Sequence, residues 1–183
     1  MTDSLRIVTL CTGNAARSVM LGFMLEALSD ASEQSWEVRS AGTHVVEGQA
    51  ISPRTLGALE RIAELSGRHF SAHRSHQLTD DDVAWADVIL TAEADHVAYV
   101  RARHPEAATR TVQIAAFCRF APLDASIAEQ VRVASAATPD DGLDVVDPAG
   151  GDQSDYDECA AELWDLAQVF ATLALGETDF DPL

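Results

Sequence analysis

The chain has no lysine. All 12 of its basic residues are arginines, and 30 acidic residues outweigh them to give a formal net charge of −18. No basic cluster offsets that field, so a polyanionic nucleic acid is repelled and no nucleic-acid partner is expected. Cysteine is scarce as well. The three residues at 11, 118 and 159 are too scattered for a disulfide scaffold and suit a reducing cytoplasm. No uninterrupted apolar run approaches the ~20 residues of a membrane-crossing helix. Met1-Thr2-Asp3-Ser4 has neither the basic segment nor the apolar core of a secretory signal. A cytoplasmic protein with no membrane partner is therefore expected. His44, His69, His76, His96 and His104 fall at no metal-ligand spacing, and Asp80-Asp81-Asp82 and Asp140-Asp141 read as solvated turn and helix-start residues. No metal and no cofactor is expected.

What is present is the pattern of an ordinary globular protein, 47% apolar and 23% charged over 183 residues, read as a single domain spanning 1–183. Strand-like stretches at 5–10, 36–40, 86–92 and 111–116 alternate with helical ones at 18–30, 53–66, 93–103, about 124–136 and 153–175. That alternation predicts an α/β fold, a three-layer αβα sandwich around a four-stranded parallel sheet. Right-handed crossovers place the strand C-termini on one edge, where open α/β folds bind ligands. The stretch 119–146 has turn chemistry and one helical segment, and is read as either a lid or a surface excursion.

The most informative residues lie where the first strand meets the first helix: Cys11-Thr12-Gly13-Asn14-Ala15-Ala16-Arg17-Ser18. The first amides of a helix carry about half a positive charge, and successive loop amides form a nest for a tetrahedral oxyanion. Arg17 adds a planar fork that can hold two phosphate oxygens. Cys11, at the C-terminal end of the strand, is placed as a nucleophile at the mouth of this loop. Gly13 permits the tight path, and Asn14, the chain's only asparagine, tolerates left-handed backbone. Ser18 puts a hydroxyl at the helix start, close to the sulfur. Thr12, Gly13, Asn14, Ala15, Ala16 and Ser18 are the candidate phosphate-binding residues.

At these residues the chain resembles the low-molecular-weight protein tyrosine phosphatase family, which also includes bacterial arginine phosphatases and thioredoxin-coupled arsenate reductases. Ser40-Ala41-Gly42-Thr43, Ser52-Pro53-Arg54, His73-Arg74-Ser75 and Asp147-Pro148 follow in the family's order. The resemblance implies a phosphomonoester hydrolase that works through a phosphocysteine intermediate, with a phosphorylated protein or small aryl phosphate as substrate. It also implies that Asp147 is the general acid and that Asn14, Ser40 and His73 form a hydrogen-bonding network under the loop. A rival acid at Asp181-Pro182 is set aside, because a frayed terminus cannot hold a proton donor in geometry.

Departures from the family pattern bear on the substrate. Ala16 stands where many members carry a second cysteine, which excludes a disulfide within the loop. The aromatic walls that sandwich a phosphotyrosine ring are expected to be missing, one replaced near Val45 and the other by Ala149. Phosphotyrosine is the simplest substrate. The alternatives are protein arginine phosphatase, arsenate reductase, and a phosphate-binding module without catalysis.

Overall fold

In a computed structural model, which describes residues 4–32 and 35–176, the chain runs β1 (Leu5–Cys11), α1 (Arg17–Ala31), β2 (Trp36–Gly42), α2 (Pro53–Glu60), α3 (Asp80–Trp85), β3 (Val88–Thr91), α4 (Ala94–Arg103), β4 (Thr111–Gln113), α5 (Ile114–Phe120), α6 (Ile127–Ser135) and α7 (Gln153–Leu175). The four strands form one parallel sheet in the order β2-β1-β3-β4. Strand alternation builds the layers. On β1, Ile7 faces a core shared with α1, α5 and α7, whereas Val8 and Leu10 face a second core that includes Val83, Val100 and Ala107. β3 repeats the pattern, with Val88 and Leu90 on the first side and Ile89 on the other. Both faces are thus covered at the centre of the sheet, which is why β1 and β3 carry apolar residues on both. Among the described residues, no helix is long and apolar enough to cross a membrane.

Several element boundaries differ from the sequence expectation, each for a local reason. The fourth strand stops at Gln113 because Ile114 opens α5, whose Phe117 packs on Phe170 of α7 with ring centroids 4.8 Å apart. The helix starting at Pro53 ends at Glu60 rather than 66; a separate 3₁₀ turn covers Ala63–Leu65, and Gly67 follows at φ 82°. The Asp80–Asp82 run forms the first turn of α3, where carboxylates meet the positive end of the helix. Asp82 is not solvated. Its Oδ2 accepts from the Thr79 hydroxyl at 2.6 Å and lies 2.8 Å from His76 Nε2.

The approach to Asp147 is pinned rather than lid-like. Val145, fully buried, donates its N–H to Ala92 O at 2.9 Å. Asp144 Oδ1 accepts from Ala94 N and Gln113 Nε2, both at 2.7 Å. These bonds tie 144–145 to the ends of β3 and β4, so Asp147 is delivered to the edge where β1 ends.

Candidate active site

The loop between β1 and α1 is held from outside by its carbonyls. Cys11 O accepts from Thr43 N at 3.0 Å and Thr12 O from His44 N at 2.9 Å. Asn14 O accepts from Ser75 Oγ at 2.8 Å and His73 Nε2 at 3.0 Å, and Ala15 O from Thr55 Oγ1 at 2.8 Å. Ala16 O takes the Met20 amide at 2.8 Å. In a trans peptide the following N–H points opposite to the carbonyl. Anchoring these carbonyls outward therefore turns the amides of Thr12, Gly13, Ala15, Ala16 and Arg17 inward. Among the described residues, the amides of Gly13, Asn14, Ala15 and Ala16 donate to no protein carbonyl, which leaves a concave set of free donors at the start of α1.

Asn14 makes the path possible. It is the only non-glycine described residue at positive φ, 48°, and its buried side chain clamps both sides of the turn. Oδ1 accepts from His76 N at 2.8 Å, and Nδ2 donates to Ser18 Oγ at 3.0 Å. Ser18 Oγ in turn lies 3.0 Å from Cys11 Sγ. With the Asn14 amide on one lone pair, the Ser18 hydroxyl keeps its proton available to the sulfur. Gly42, at the end of β2, must lack a side chain: a Cβ there would sit 2.6 Å from Thr12 O and 2.8 Å from Asn14 N.

Arg17 is 2% exposed and bonded on three sides. Nη1 donates to Glu93 Oε1 and, at 2.9 Å, to Val145 O; Nη2 donates to Asp147 Oδ2 at 2.8 Å. Burial disfavours its charge, but the hydrogen bond to Glu93 and the negative charges of Asp147, Cys11 and Glu93 outweigh that and raise its pKa. Asp147 is half-exposed, and its Oδ1 accepts from Ala149 N at 3.0 Å.

The structure thus brings Cys11, Arg17, Asp147, Asn14, Ser18 and His73 together with the loop residues 12, 13, 15 and 16. Ser40 stays out of this network; it pairs with Thr9 in the sheet, and Ser75 bonds the loop instead. Asp181 lies outside the described residues. Thr55, Ser75, His76, Glu93 and His96 were missed by sequence reasoning. Glu93 had a usable signal, because it sits two residues past β3 at the same sheet edge as Cys11.

On the outer side of the loop, where His44 N donates to Thr12 O, the His44 ring packs edge-to-face on Tyr99 with centroids 5.7 Å apart. The Asp147 side carries Ala149, as the sequence indicates. There, a cavity of about 390 Å³ opens between the turn after Asp147 and α7, and its lining includes Asp155, Glu158, Cys159 and Glu162. Among the described residues, no group of histidine, cysteine and carboxylate side chains is arranged to hold a metal.

Residues 6–177 match the low molecular weight phosphotyrosine protein phosphatase family. The chain belongs to that family. Family membership makes it one of the cysteine-dependent phosphatases. A relative from Geobacillus stearothermophilus named protein-arginine-phosphatase is 34% identical over 113 residues, covering 61% of this chain and 70% of the relative. The solved structure of the YwlE arginine phosphatase from the same organism aligns at TM-score 0.72 and 27% identity, over 97% of this chain and 99% of that one. A low molecular weight protein tyrosine phosphatase from T. tengcongensis aligns at TM-score 0.72 and 28% identity, over 91% and 97% respectively.

His96, 3% exposed at the start of α4, makes the fold acid-sensitive. Burial first, and then the Arg17 charge, lower its pKa from 6.5 to about 4. Between those pH values the unfolded chain binds more protons than the native one. Stability therefore rises with pH through this window and falls as pH drops through it, by about 3 kcal/mol. Urea unfolding of wild type and His96→Gln at pH 7 and pH 4 is expected to show this loss diminished in the variant by about that amount. An equal loss in both proteins would exclude His96 as its source.

Proposed function

We propose that this member of the family is a protein phosphatase acting through a phosphocysteine intermediate, and that its substrate is phosphoarginine in proteins. The observation that carries the chemistry is the loop with inward amides between Cys11 and Arg17. In the first step Cys11 Sγ attacks phosphorus, the bond to the leaving group breaks, and Asp147 gives that group a proton. In the second, Asp147 takes a proton from water as water displaces the sulfur and releases inorganic phosphate. Substrate phosphate competes with Asp147 for Arg17 Nη2, which frees the carboxyl for the leaving group.

The substrate assignment rests on the Asp147 side of the mouth. Ala149 offers no ring for stacking, which forfeits ~0.5–1.5 kcal/mol for an aryl group. Asp155, Glu158 and Glu162 beside it suit a leaving group that carries positive charge, as a guanidinium does and a phenol does not. The arginine phosphatase among the relatives supports the same reading. Phosphotyrosine is the second reading, supported by the low molecular weight protein tyrosine phosphatase among the similar structures. Arsenate reduction is disfavoured by the remaining thiols. Burial pushes both Cys118 and Cys159 up to about 12, so neither is ionised to take over a sulfur–arsenic adduct. Three free cysteines are compatible with a cytoplasmic setting.

A panel of otherwise identical peptides carrying phosphoarginine, phosphotyrosine or phosphoserine tests the assignment, with arsenate reduction measured in parallel. The highest kcat/KM is expected for phosphoarginine; preference for phosphotyrosine would transfer the assignment to the second reading. The acid is tested separately by leaving-group chemistry. p-Nitrophenolate needs little protonation, whereas unactivated phenolate needs a great deal. General acid catalysis contributes ~10²–10⁴-fold, so Asp147→Asn is expected to slow phenyl phosphate far more than p-nitrophenyl phosphate. Equal losses on both would remove Asp147 from the role.

A further inference from the structure

The loop is gripped at its second residue by a histidine that takes no part in the chemistry described above. His96 Nδ1 accepts the Glu93 amide proton at 3.1 Å, so the ring hydrogen resides on Nε2. That nitrogen lies 2.9 Å from Thr12 Oγ1 and 3.2 Å from Glu93 Oε2. The other Glu93 oxygen, Oε1, receives Arg17 Nη1. One ring therefore meets the first loop residue after the nucleophile and the carboxylate that holds the arginine. We infer that His96 is a positioning residue of the phosphate-binding loop, donating from Nε2 to the Thr12 hydroxyl and steadying Glu93 behind Arg17. The inference rests on the phosphatase reading and adds a residue that acts on phosphate only through others.

The geometry gives the ring a job beyond capping α4. Thr12 O is tied to His44 N, and Cys11 O to Thr43 N. The hydrogen bond to Thr12 Oγ1 adds a side-chain anchor, so Thr12 is held through its carbonyl and its side chain, the peptide before it through Cys11 O, and the amides of Thr12 and Gly13 are aimed before phosphate arrives. Preorganised donors of this kind cost no reorientation in the transition state. Burial keeps the imidazole neutral at physiological pH, which preserves one acceptor nitrogen for Glu93 N and one donor nitrogen for Thr12. An imidazolium would lose the acceptor. Phe, Leu or Met at this position would fill the space and bond to neither.

Four variants and one spectrum test this: His96→Leu, His96→Gln, Thr12→Val and the double variant His96→Leu/Thr12→Val, each assayed for kcat and KM on p-nitrophenyl phosphate, for orthovanadate affinity and for Tm. A small displacement of aligned groups costs up to ~10²-fold. His96→Leu and Thr12→Val are each expected to lower kcat/KM by ~10–100-fold and to weaken vanadate in parallel. The double variant should be no worse than the poorer single one, and His96→Gln, which keeps a donor at the ε position, should recover most of the loss. In ¹⁵N-histidine spectra of the wild-type protein, the His96 Nε2–H signal should move when inorganic phosphate is added and should be altered in Thr12→Val. Lower Tm with unchanged kcat/KM and vanadate affinity in His96→Leu would overturn the inference and leave a capping role only. So would multiplied losses in the double variant, or a His96 signal indifferent to phosphate. A wild-type protein that releases phosphate from neither an aryl phosphate nor a phosphoarginine peptide would instead sink the phosphatase reading, while vanadate affinity and the spectrum would still decide the role of His96.

Discussion

Cys11→Ser is expected to abolish turnover while leaving phosphate and vanadate binding nearly intact. Serine replaces sulfur with an oxygen that Ser18 can still meet by hydrogen bond. The amides that bind the oxyanion belong to the backbone and do not depend on the Cys11 side chain. What is lost is the attacking sulfur, and with it the phosphocysteine intermediate. Removal of an enzyme's nucleophile costs on the order of 10⁵-fold or more in kcat. A burst experiment with p-nitrophenyl phosphate should release about one equivalent of nitrophenolate in the wild type, provided that dephosphorylation is the slow step, and none in the variant. Full activity in Cys11→Ala, which leaves no nucleophilic atom at this position, would rule out covalent catalysis by this residue. Loss of vanadate binding together with activity would show instead that the loop had collapsed, and Cys11→Ala would then separate packing from chemistry.

Much of this site was legible because its chemistry is local. Cys11 through Ser18 are contiguous, and the conformational demand on Asn14 can be argued from the residue type alone, as its φ of 48° bears out. The supports are not local. Thr55, Ser75, His76 and Glu93 arrive from the start of α2, the segment before α3 and the residues after β3, and nothing in their own sequence neighbourhoods shows which side chain turns inward. Ser40 illustrates the point: it was expected under the loop with Asn14 and His73, but it pairs with Thr9 in the sheet, and Ser75 joins His73 on the Asn14 carbonyl. The parallel sheet could be read from its apolar strands, but β4 could not be bounded, since Thr111-Val112-Gln113-Ile114-Ala115-Ala116 suits a strand until Phe117 finds Phe170.

Arg17→Lys is expected to be almost as damaging as Arg17→Ala, with kcat/KM down by ~10²–10³-fold. Charge is conserved in this substitution, so any loss must come from geometry. The guanidinium spans three acceptors at once: Glu93 and Val145 O on one nitrogen and Asp147 on the other. Glu93 and Val145 fix the plane of the fork, so the nitrogen now facing Asp147 is already aimed when phosphate arrives. A lysine ammonium is a compact point charge on a flexible stem and cannot bridge that span bidentately. It is also drawn toward Glu93, away from the substrate, which should raise KM as well as lower kcat. Arg17→Ala carries a second penalty, since it strips Glu93 and Asp147 of their shared cation and leaves the Val145 carbonyl without its donor. The two variants should therefore resemble each other in kcat/KM and differ in Tm, with alanine the less stable. Near-complete rescue by lysine would mean that net charge suffices, and the bidentate account of the loop would be wrong.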